Sequence, residues 1–356
     1  MRDKLENIQI LRAVAACMVL ASHIGTEVVD LAGRRGVASN FEITPWATGV
    51  DVFFVLSGFL MLATAGDEAG RPGAAAAFMG RRIARIAPLY WLLTTALVLG
   101  SLALPGMLHV PIGDAPHVFA SYAFWPSLRG EEIRPVLALG WTLEYEMFFY
   151  ALFALALMLP RGWTVPSLAA LMLCVVTAGQ VWRPSSVALQ FWSSPIILEF
   201  LLGVGCAAAY RRGLRLTSAQ GGALVAVGLV LLLLSGEAAA QRDSWLPLAS
   251  VGLPALLVVA GAALSPSARD GLFARIGVEI GAASYSLYLL HPFILRSLRV
   301  VWDRFEPPLG LFWIVSAVLA VVGSILLRRF VEDPMNRWAK ELTIGSRRRA
   351  RVQPAE

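Results

Sequence analysis

Four ionisable side chains lie inside long apolar runs of this sequence, where a charge is costly and is usually kept for chemistry. They are His23, Asp51, Glu146 and His291. At 1.5 Å of rise per helical residue, each falls about 15–22 Å from the inner edge of its apolar run. We therefore expect these groups to share one zone in the middle or outer half of a membrane.

Histidine titrates near neutral pH, so His23 suits the removal of a proton from a hydroxyl group. Glu146 or Asp51 could orient its ring and stabilise the imidazolium form, as the acid of a catalytic triad does. The alternative for His23 is a hydrogen bond between helices. For His291, a place in an acceptor pocket and a cross-helix hydrogen bond are equal alternatives, whereas His117 lies in a Pro-rich stretch and is expected to be solvated.

Arginines form a second set at the opposite edge of these runs. Arg82 and Arg85 are three residues apart and share one helical face if the helix begins before them. Arg12 lies about 6 Å into the first run. Guanidinium groups bind pairs of phosphate oxygens and stay ionised, so the set fits a phosphorylated ligand. Ordinary anchoring of helices at the membrane surface is the alternative.

The spacing between Arg12 and His23 limits the shape of such a ligand. The two residues are about 16 Å apart along the axis of one helix. A ligand held by phosphates at Arg12 and reacting at His23 needs a narrow linear arm of that length. The pantetheine arm of coenzyme A has this reach and a nucleoside triphosphate does not, so the spacing favours a cytoplasmic acyl-CoA.

The elements that must position these residues are membrane-spanning helices. Of the 356 residues, 57% are hydrophobic and 15% are charged, and the mean hydropathy is +0.67. These values exclude an average soluble domain and a disordered chain. Apolar runs of about 20 residues predict an all-α polytopic membrane protein with about ten transmembrane helices in one bundle. The predicted spans are 8–26, 46–65, 86–104, 136–159, 163–181, 190–210, 217–235, 246–264, 277–297 and 308–328.

The distribution of Lys and Arg predicts the orientation. With ten crossings both termini share a side, and 20 of the 30 basic residues lie on that side. The positive-inside rule then predicts that both termini lie in the cytoplasm. The expected location of this multi-pass protein is a bacterial-type inner membrane. We expect a membrane domain over 1–330 and a basic cytoplasmic tail over 331–356 that contacts lipid headgroups. The Pro-rich stretch 105–135 is expected to be a loop, with partial re-entry into the membrane left open.

Short motifs that contain these residues follow one another along nearly the whole chain. They are Arg12-x10-His23, Gly49-Val-Asp51-Val-Phe-Phe-Val-Leu-Ser57-Gly58-Phe59, Arg82-x-x-Arg85 with Pro88-Leu-Tyr90-Trp91, Trp141-Thr-Leu-Glu-Tyr-Glu146-Met-Phe-Phe149-Tyr150, and Ser284-Tyr285-Ser-Leu-Tyr288-Leu-Leu-His291. Together and in this order they resemble the type 3 membrane acyltransferases. The opening segment and the block around Trp141 are most similar to the short exopolysaccharide O-acetyltransferase branch of that family.

The resemblance implies an acyl-CoA-dependent O-acyltransferase that moves an acyl group, expected to be acetyl, to a hydroxyl of an extracytoplasmic or lipid-linked glycan. His23 would act as a general base or as a nucleophile through an acyl-imidazole. Glu144 stands where the family more commonly has Ser or Asn, so Glu146, which keeps the family spacing to Phe149, is the expected catalytic acid. The implied roles are catalysis for His23, Glu146 and Asp51, donor binding for Arg12, Arg82 and Arg85, and acceptor binding for Trp141, Tyr288 and His291.

The expected partners are acyl-CoA, a glycan or polysaccharide acceptor and the lipid bilayer, with no nucleic acid. A second copy of the chain or other glycan-assembly proteins are further candidates. No metal is expected, because the histidines and acids lack ligand spacing such as H-x-x-x-H. Two other functions stay open: a proton-coupled secondary transporter, and a non-catalytic subunit of a polysaccharide assembly complex.

Overall fold

The chain is almost entirely helical wherever the computed structural model describes it. One short antiparallel hairpin, β1 (Leu128–Arg129) with β2 (Glu132–Ile133), interrupts the helices. The basic cluster that begins at Arg347 lies outside the described residues. The described residues are 2–37, 44–103, 112–236, 244–267 and 271–341.

The α-helices are numbered here in chain order. They are α1 (Arg2–Arg34), α2 (Thr44–Ala47), α3 (Gly49–Ala65), α4 (Ala74–Ala103), α5 (Ala115–Tyr122), α6 (Trp141–Leu157), α7 (Arg161–Trp182), α8 (Val187–Trp192), α9 (Leu198–Arg211), α10 (Ser218–Leu233), α11 (Leu253–Leu264), α12 (Leu272–Ala282), α13 (Ser284–Phe305) and α14 (Leu309–Leu327). A π-helical turn, Leu248–Gly252, precedes α11, and another, Arg328–Glu332, follows α14.

Contacts divide the chain into two compact units. The first contains Met1–Thr64 and Ser194–Ile325, and therefore α1 to α3 and α9 to α14. The second contains Ala65–Ser193 and Leu326–Glu356, and therefore α4 to α8 with the hairpin. Each unit thus joins segments that are distant in the sequence.

The helices confirm an all-α membrane protein, while the count of ten spans stays a prediction. Five helical stretches are long and apolar enough to cross a bilayer, and one bent pair could supply a sixth span. The helices α10 and α11 are apolar but shorter. The five long stretches are Glu6–Arg34, Pro45–Glu68, Ala74–Ala103, Arg161–Trp182 and Leu309–Glu341.

The third predicted span begins earlier than the apolar run 86–104 indicates. The helix α4 starts at Ala74, directly after Gly73, which takes the left-handed backbone conformation with φ of +75°. Alanine and arginine are strong helix formers although arginine is not apolar. The helix therefore contains Arg82 and Arg85 in full, so the two arginines share one face as expected.

The predicted span over 277–297 falls on two helices, because the chain bends by 73° between α12 and α13. At Gly281 the backbone lies so close to α1 that an added Cβ atom would be 1.8 Å from the carbonyl oxygen of Gln9. Only a glycine permits this approach. The first turn of α12 is exposed, with Leu272 at 70% and Phe273 at 89%.

The core of the first unit packs α1 against α13 and α14. Leu20, Ile24 and Leu31 of α1 are buried together with Leu295 of α13 and Phe312 of α14. Apolar side chains recur on one face of α1 at intervals of three or four residues, as such packing requires. This core fixes the helices that carry His23 and His291.

In the second unit, hydrogen bonds connect α4 to the region after it. The hydroxyl group of Tyr90 donates to the carbonyl oxygen of Ser121 at 3.2 Å, and the indole nitrogen of Trp91 donates to that of Tyr122 at 2.8 Å. Phe78 of α4 packs 5.1 Å from Phe153 of α6. The described part of the predicted loop thus contains a short helix, α5, that is hydrogen-bonded to α4, and the hairpin.

Candidate active site

Arg12 and His23 lie on one unbroken helix, α1. Their axial separation of about 16 Å therefore holds in the structure. Arg12 is half-buried, and its Nε donates a hydrogen bond to Ser284 Oγ at 3.1 Å. Because Ser284 is the first residue of α13, the bend that precedes this helix brings it to the donor-binding candidate on α1.

The two membrane histidines are in contact. The ring centroids of His23 and His291 are 5.0 Å apart at an interplanar angle of 44°. The ring of Tyr288 approaches that of His291 edge-on at 6.3 Å. The expectation that His23 and His291 share a zone is confirmed, and α1 and α13 bring them together.

The tautomer of His291 follows from its hydrogen bond. Its Nδ1 lies 2.8 Å from the carbonyl oxygen of Leu287 in the preceding turn of α13. A carbonyl can only accept, so Nδ1 carries the proton and Nε2 presents a lone pair. Nε2 is buried and has no hydrogen-bond partner among the described residues. This bond lies within α13, so it is not the hydrogen bond between helices that the sequence left open for His291.

Asp51 occupies the first turn of α3 and is 3% exposed. The start of this helix packs closely on α1, because a Cβ atom added at Gly49 would lie 2.4 Å from the carbonyl oxygen of Ala15. Ala15 lies between Arg12 and His23 in the sequence. The structure thus positions the helix of Asp51 against the segment that connects the two candidates.

The second unit holds the remaining donor-binding candidates. Arg81 pairs with Glu68 at 2.6 Å, so its charge is already compensated. The guanidinium carbon of Arg82 lies 5.8 Å from the ring centroid of Phe78, and its buried Nε has no hydrogen-bond partner among the described residues. Arg85, one turn further along α4, is half-buried. Arg82 and Arg85 are therefore better placed than Arg81 to receive a new anion.

The two acids of α6 differ in their surroundings. Glu146 is half-buried and its Oε1 accepts a hydrogen bond from the hydroxyl of Tyr150 at 2.7 Å. Glu144 is fully buried, and neither of its carboxyl oxygens has a hydrogen-bond partner among the described residues. Trp141 begins the helix and meets the ring of Tyr145 edge-on at 6.0 Å. Glu146 is thus held in orientation by Tyr150. The burial of the Glu144 carboxyl group without such a bond costs folding free energy.

The candidate site residues divide between the two units. Arg12, His23, Asp51, Tyr288 and His291 belong to the first unit. The second unit holds the others, which are Arg82, Arg85, Trp141 and Glu146. Their roles stay predictions.

Sequence reasoning missed some polar residues of these units. Ser284 was part of a motif, but its bond to Arg12 depends on a bend that hydropathy does not reveal. The prediction of a solvated His117 was wrong, because this side chain is 4% exposed. Within the described ranges, no cluster of three or more His, Cys, Asp or Glu side chains could hold a metal ion.

Comparison with known proteins agrees with the motifs. Residues 5–329 match the acyltransferase domain family. The chain is 37% identical over 256 residues to the exopolysaccharide production protein ExoZ of Rhizobium meliloti (strain 1021), covering 71% of this chain and 78% of that protein. It is 26% identical to the acyltransferase MdmB of Streptomyces mycarofaciens, covering 99% of this chain and 95% of that protein.

A third relative is nodulation protein 10 of Rhizobium leguminosarum bv. viciae, which is 25% identical over 92% of each chain. No solved structure matches the chain. The family match covers nearly all of the described helices and contains every candidate residue named above. The chain therefore belongs to the type 3 membrane acyltransferase family and is similar to its exopolysaccharide branch.

Proposed function

We propose that this protein is an O-acyltransferase that moves an acyl group, expected to be acetyl, from cytoplasmic acyl-CoA to a hydroxyl of an extracytoplasmic or lipid-linked glycan. The observation that carries the proposal is the unbroken helix α1, with a guanidinium group and an imidazole about 16 Å apart. The similarity to a protein of exopolysaccharide production supports a glycan acceptor.

The donor would be held by its phosphates and would react at the far end of its arm. Arg12, Arg82 and Arg85 would bind phosphate oxygens, because guanidinium groups stay ionised and donate pairs of hydrogen bonds. The bond between Arg12 Nε and Ser284 Oγ holds this side chain at the start of α13. The thioester would then lie near His23.

The transfer requires a base and an orienting acid. His23 would take the proton of the acceptor hydroxyl as its oxygen attacks the thioester carbonyl carbon. The new C–O bond forms, the C–S bond breaks, and the proton passes to the departing thiolate of coenzyme A. The contact between the rings of His23 and His291, with His291 held by the carbonyl oxygen of Leu287, supports a role for this pair in the step. Asp51 or Glu146 would stabilise the charged imidazole.

The orientation proposed is that of an inner-membrane protein with both termini in the cytoplasm. In this orientation the Arg82 end of α4 faces the cytoplasm and its Ala103 end faces the outside. The acyl group would thus be carried toward the outer side while the nucleotide stays inside.

Calorimetric titration of the purified protein with acetyl-CoA tests donor binding. Wild type should bind, and Arg82→Ala together with Arg85→Ala should abolish binding. Arg81→Ala is the matched control on the same helix, since Arg81 already pairs with Glu68 and should be dispensable for the donor. Absence of binding by wild type at millimolar donor would reject the proposal and favour the transporter alternative.

Mass spectrometry of surface glycans tests the transfer itself. A strain that carries His23→Ala should lose the acyl mass present in its parent, while the purified variant still binds acetyl-CoA. Unchanged glycan acylation in that strain would reject a catalytic role for His23. Loss of the mass in a strain without the gene would also define the acyl group and the acceptor.

A further inference from the structure

A cavity of about 350 Å³ opens at one end of the second unit. Its volume lies within the range of about 300–1,000 Å³ that small-molecule sites occupy. The polar side chains at its wall are Asp114, His117, Ser127 and Ser186, and Trp125 adds a large aromatic surface. None of these residues was assigned a role above.

His117 and Ser127 form a hydrogen-bonded pair in this wall. His117 Nδ1 lies 2.8 Å from Ser127 Oγ, and the His117 side chain is 4% exposed. Its Nε2 has no hydrogen-bond partner among the described residues. A buried ring nitrogen without a partner is costly unless a ligand or water satisfies it.

The pair offers one donor and one acceptor in either tautomer. If Nδ1 donates to Ser127, Nε2 is an acceptor and the serine hydroxyl is free to donate. If the serine donates to Nδ1, Nε2–H is the donor and the serine oxygen can accept. Neighbouring hydroxyl groups of a sugar ring present this same combination of a donor and an acceptor.

The surroundings favour the neutral form of the imidazole. Burial lowers the pKa of His117 below its ordinary value, and the nearby Arg129 lowers it further, while Asp114 acts in the opposite direction. Asp114 is already engaged, because its Oδ1 accepts from the backbone N–H of His117 at 2.9 Å. A neutral pair suits a neutral ligand with hydroxyl groups better than an anion.

Trp125 supplies an apolar ring face to the cavity, and other aromatic rings pack against its opposite side. Its side chain is 53% exposed, and its ring meets that of Trp192 edge-on at 4.7 Å. Trp192 in turn stacks on Phe148 at 4.7 Å with an interplanar angle of 8°. Because aromatic contacts hold the indole on one side, little conformational freedom is lost when a ligand covers the exposed side.

We infer that this cavity binds a neutral pyranose ring of the acceptor glycan, with Trp125 against the apolar C–H face of the ring and the His117–Ser127 pair on two of its hydroxyl groups. The inference rests on the proposed function for the identity of the sugar as acceptor. The cavity residues follow the ends of α4 and α7, so the proposed orientation puts them outside, where a glycan chain lies.

Ligand-detected NMR tests sugar binding without requiring turnover. The probes are methyl glucoside, methyl galactoside and methyl mannoside, added to the protein in a detergent without a sugar headgroup. Wild type should transfer saturation to the C–H protons of at least one of these probes. Trp125→Ala should abolish the signal, and His117→Phe should weaken it. Trp182→Ala is the matched control, since Trp182 is 78% exposed and does not line the cavity.

A transfer assay separates this inference from the proposed function. With acetyl-CoA and an oligosaccharide of the host polysaccharide, Trp125→Ala should raise the KM for the acceptor about tenfold, with acetyl-CoA binding unchanged. Absence of a saturation signal in wild type, or equal signals in wild type and Trp125→Ala, would overturn the inference. A Trp125-dependent signal without any acyl transfer would keep the sugar site and reject the proposed function instead.

Discussion

Replacing Gly281 by alanine tests whether the contact between α12 and α1 maintains the donor site. The added Cβ would lie 1.8 Å from the carbonyl oxygen of Gln9, whereas ordinary contacts begin at 3.4 Å. Both groups are fixed to helix backbones, so the helices must separate by about 1.6 Å to remove the overlap. The bond from Arg12 to Ser284, now 3.1 Å long, would then exceed hydrogen-bonding distance.

Three contributions determine how much Gly281→Ala changes the free energy of unfolding. Overpacking costs about 1–3 kcal/mol, and loss of a hydrogen bond from a charged donor costs about 1.5–3 kcal/mol. The better helix propensity of alanine returns up to about 1 kcal/mol. We expect Gly281→Ala to lower the free energy of unfolding by about 1.5–6 kcal/mol and to weaken acetyl-CoA binding.

Thermal unfolding in detergent and calorimetric titration with acetyl-CoA measure both effects. Gly277→Ala is the control one turn earlier in α12, because its Cβ would meet only the Ile10 side chain at 3.2 Å, which can move. If Gly281→Ala unfolds at the same temperature as Gly277→Ala and binds the donor equally well, the coupling between this contact and the donor site is refuted.

Three further predictions concern the second unit. Glu146→Gln should lower kcat for acyl transfer about 100-fold without weakening donor binding, and a wild-type rate would exclude Glu146 as the electrostatic partner. Glu144→Leu should raise the free energy of unfolding by about 1–3 kcal/mol, because it removes two buried oxygens without partners; a lower melting temperature would contradict this. The pKa of His117 is lowered by burial, so on acidification below about pH 6.5 the unfolded chain binds a proton before the folded one does, and stability falls. Melting temperatures at about pH 7.5 and about pH 5.5 should therefore differ more for wild type than for His117→Gln. Equal differences in the two proteins would refute His117 as the source of this pH dependence.

The sequence was sufficient for features that depend on one helix at a time. The apolar run around Arg12 and His23 lacks proline, and the structure has one unbroken helix there. The arginine pair of α4 shares a face because only local spacing matters. The family was predictable because its motifs keep their order along the chain.

Features that depend on contacts between distant segments could not be predicted. The mean hydropathy of the run 277–297 gives no sign of the bend, which depends on the close approach of Gly281 to Gln9. The buried position of His117 in a Pro-rich stretch depends on Ser127, ten residues away. The ring contact between His23 and His291 requires two helices from opposite ends of the sequence.

The bend before Ser284 connects the catalytic candidates to the lipid around them. The helix α12 has 11 residues, so it is about 16 Å long, roughly half the thickness of a hydrocarbon core. Its first turn carries the exposed Leu272 and Phe273, while Gly281 near its other end lies against α1. Because Ser284 directly follows the bend, a change in bilayer thickness that tilts α12 would act close to the bond that holds Arg12.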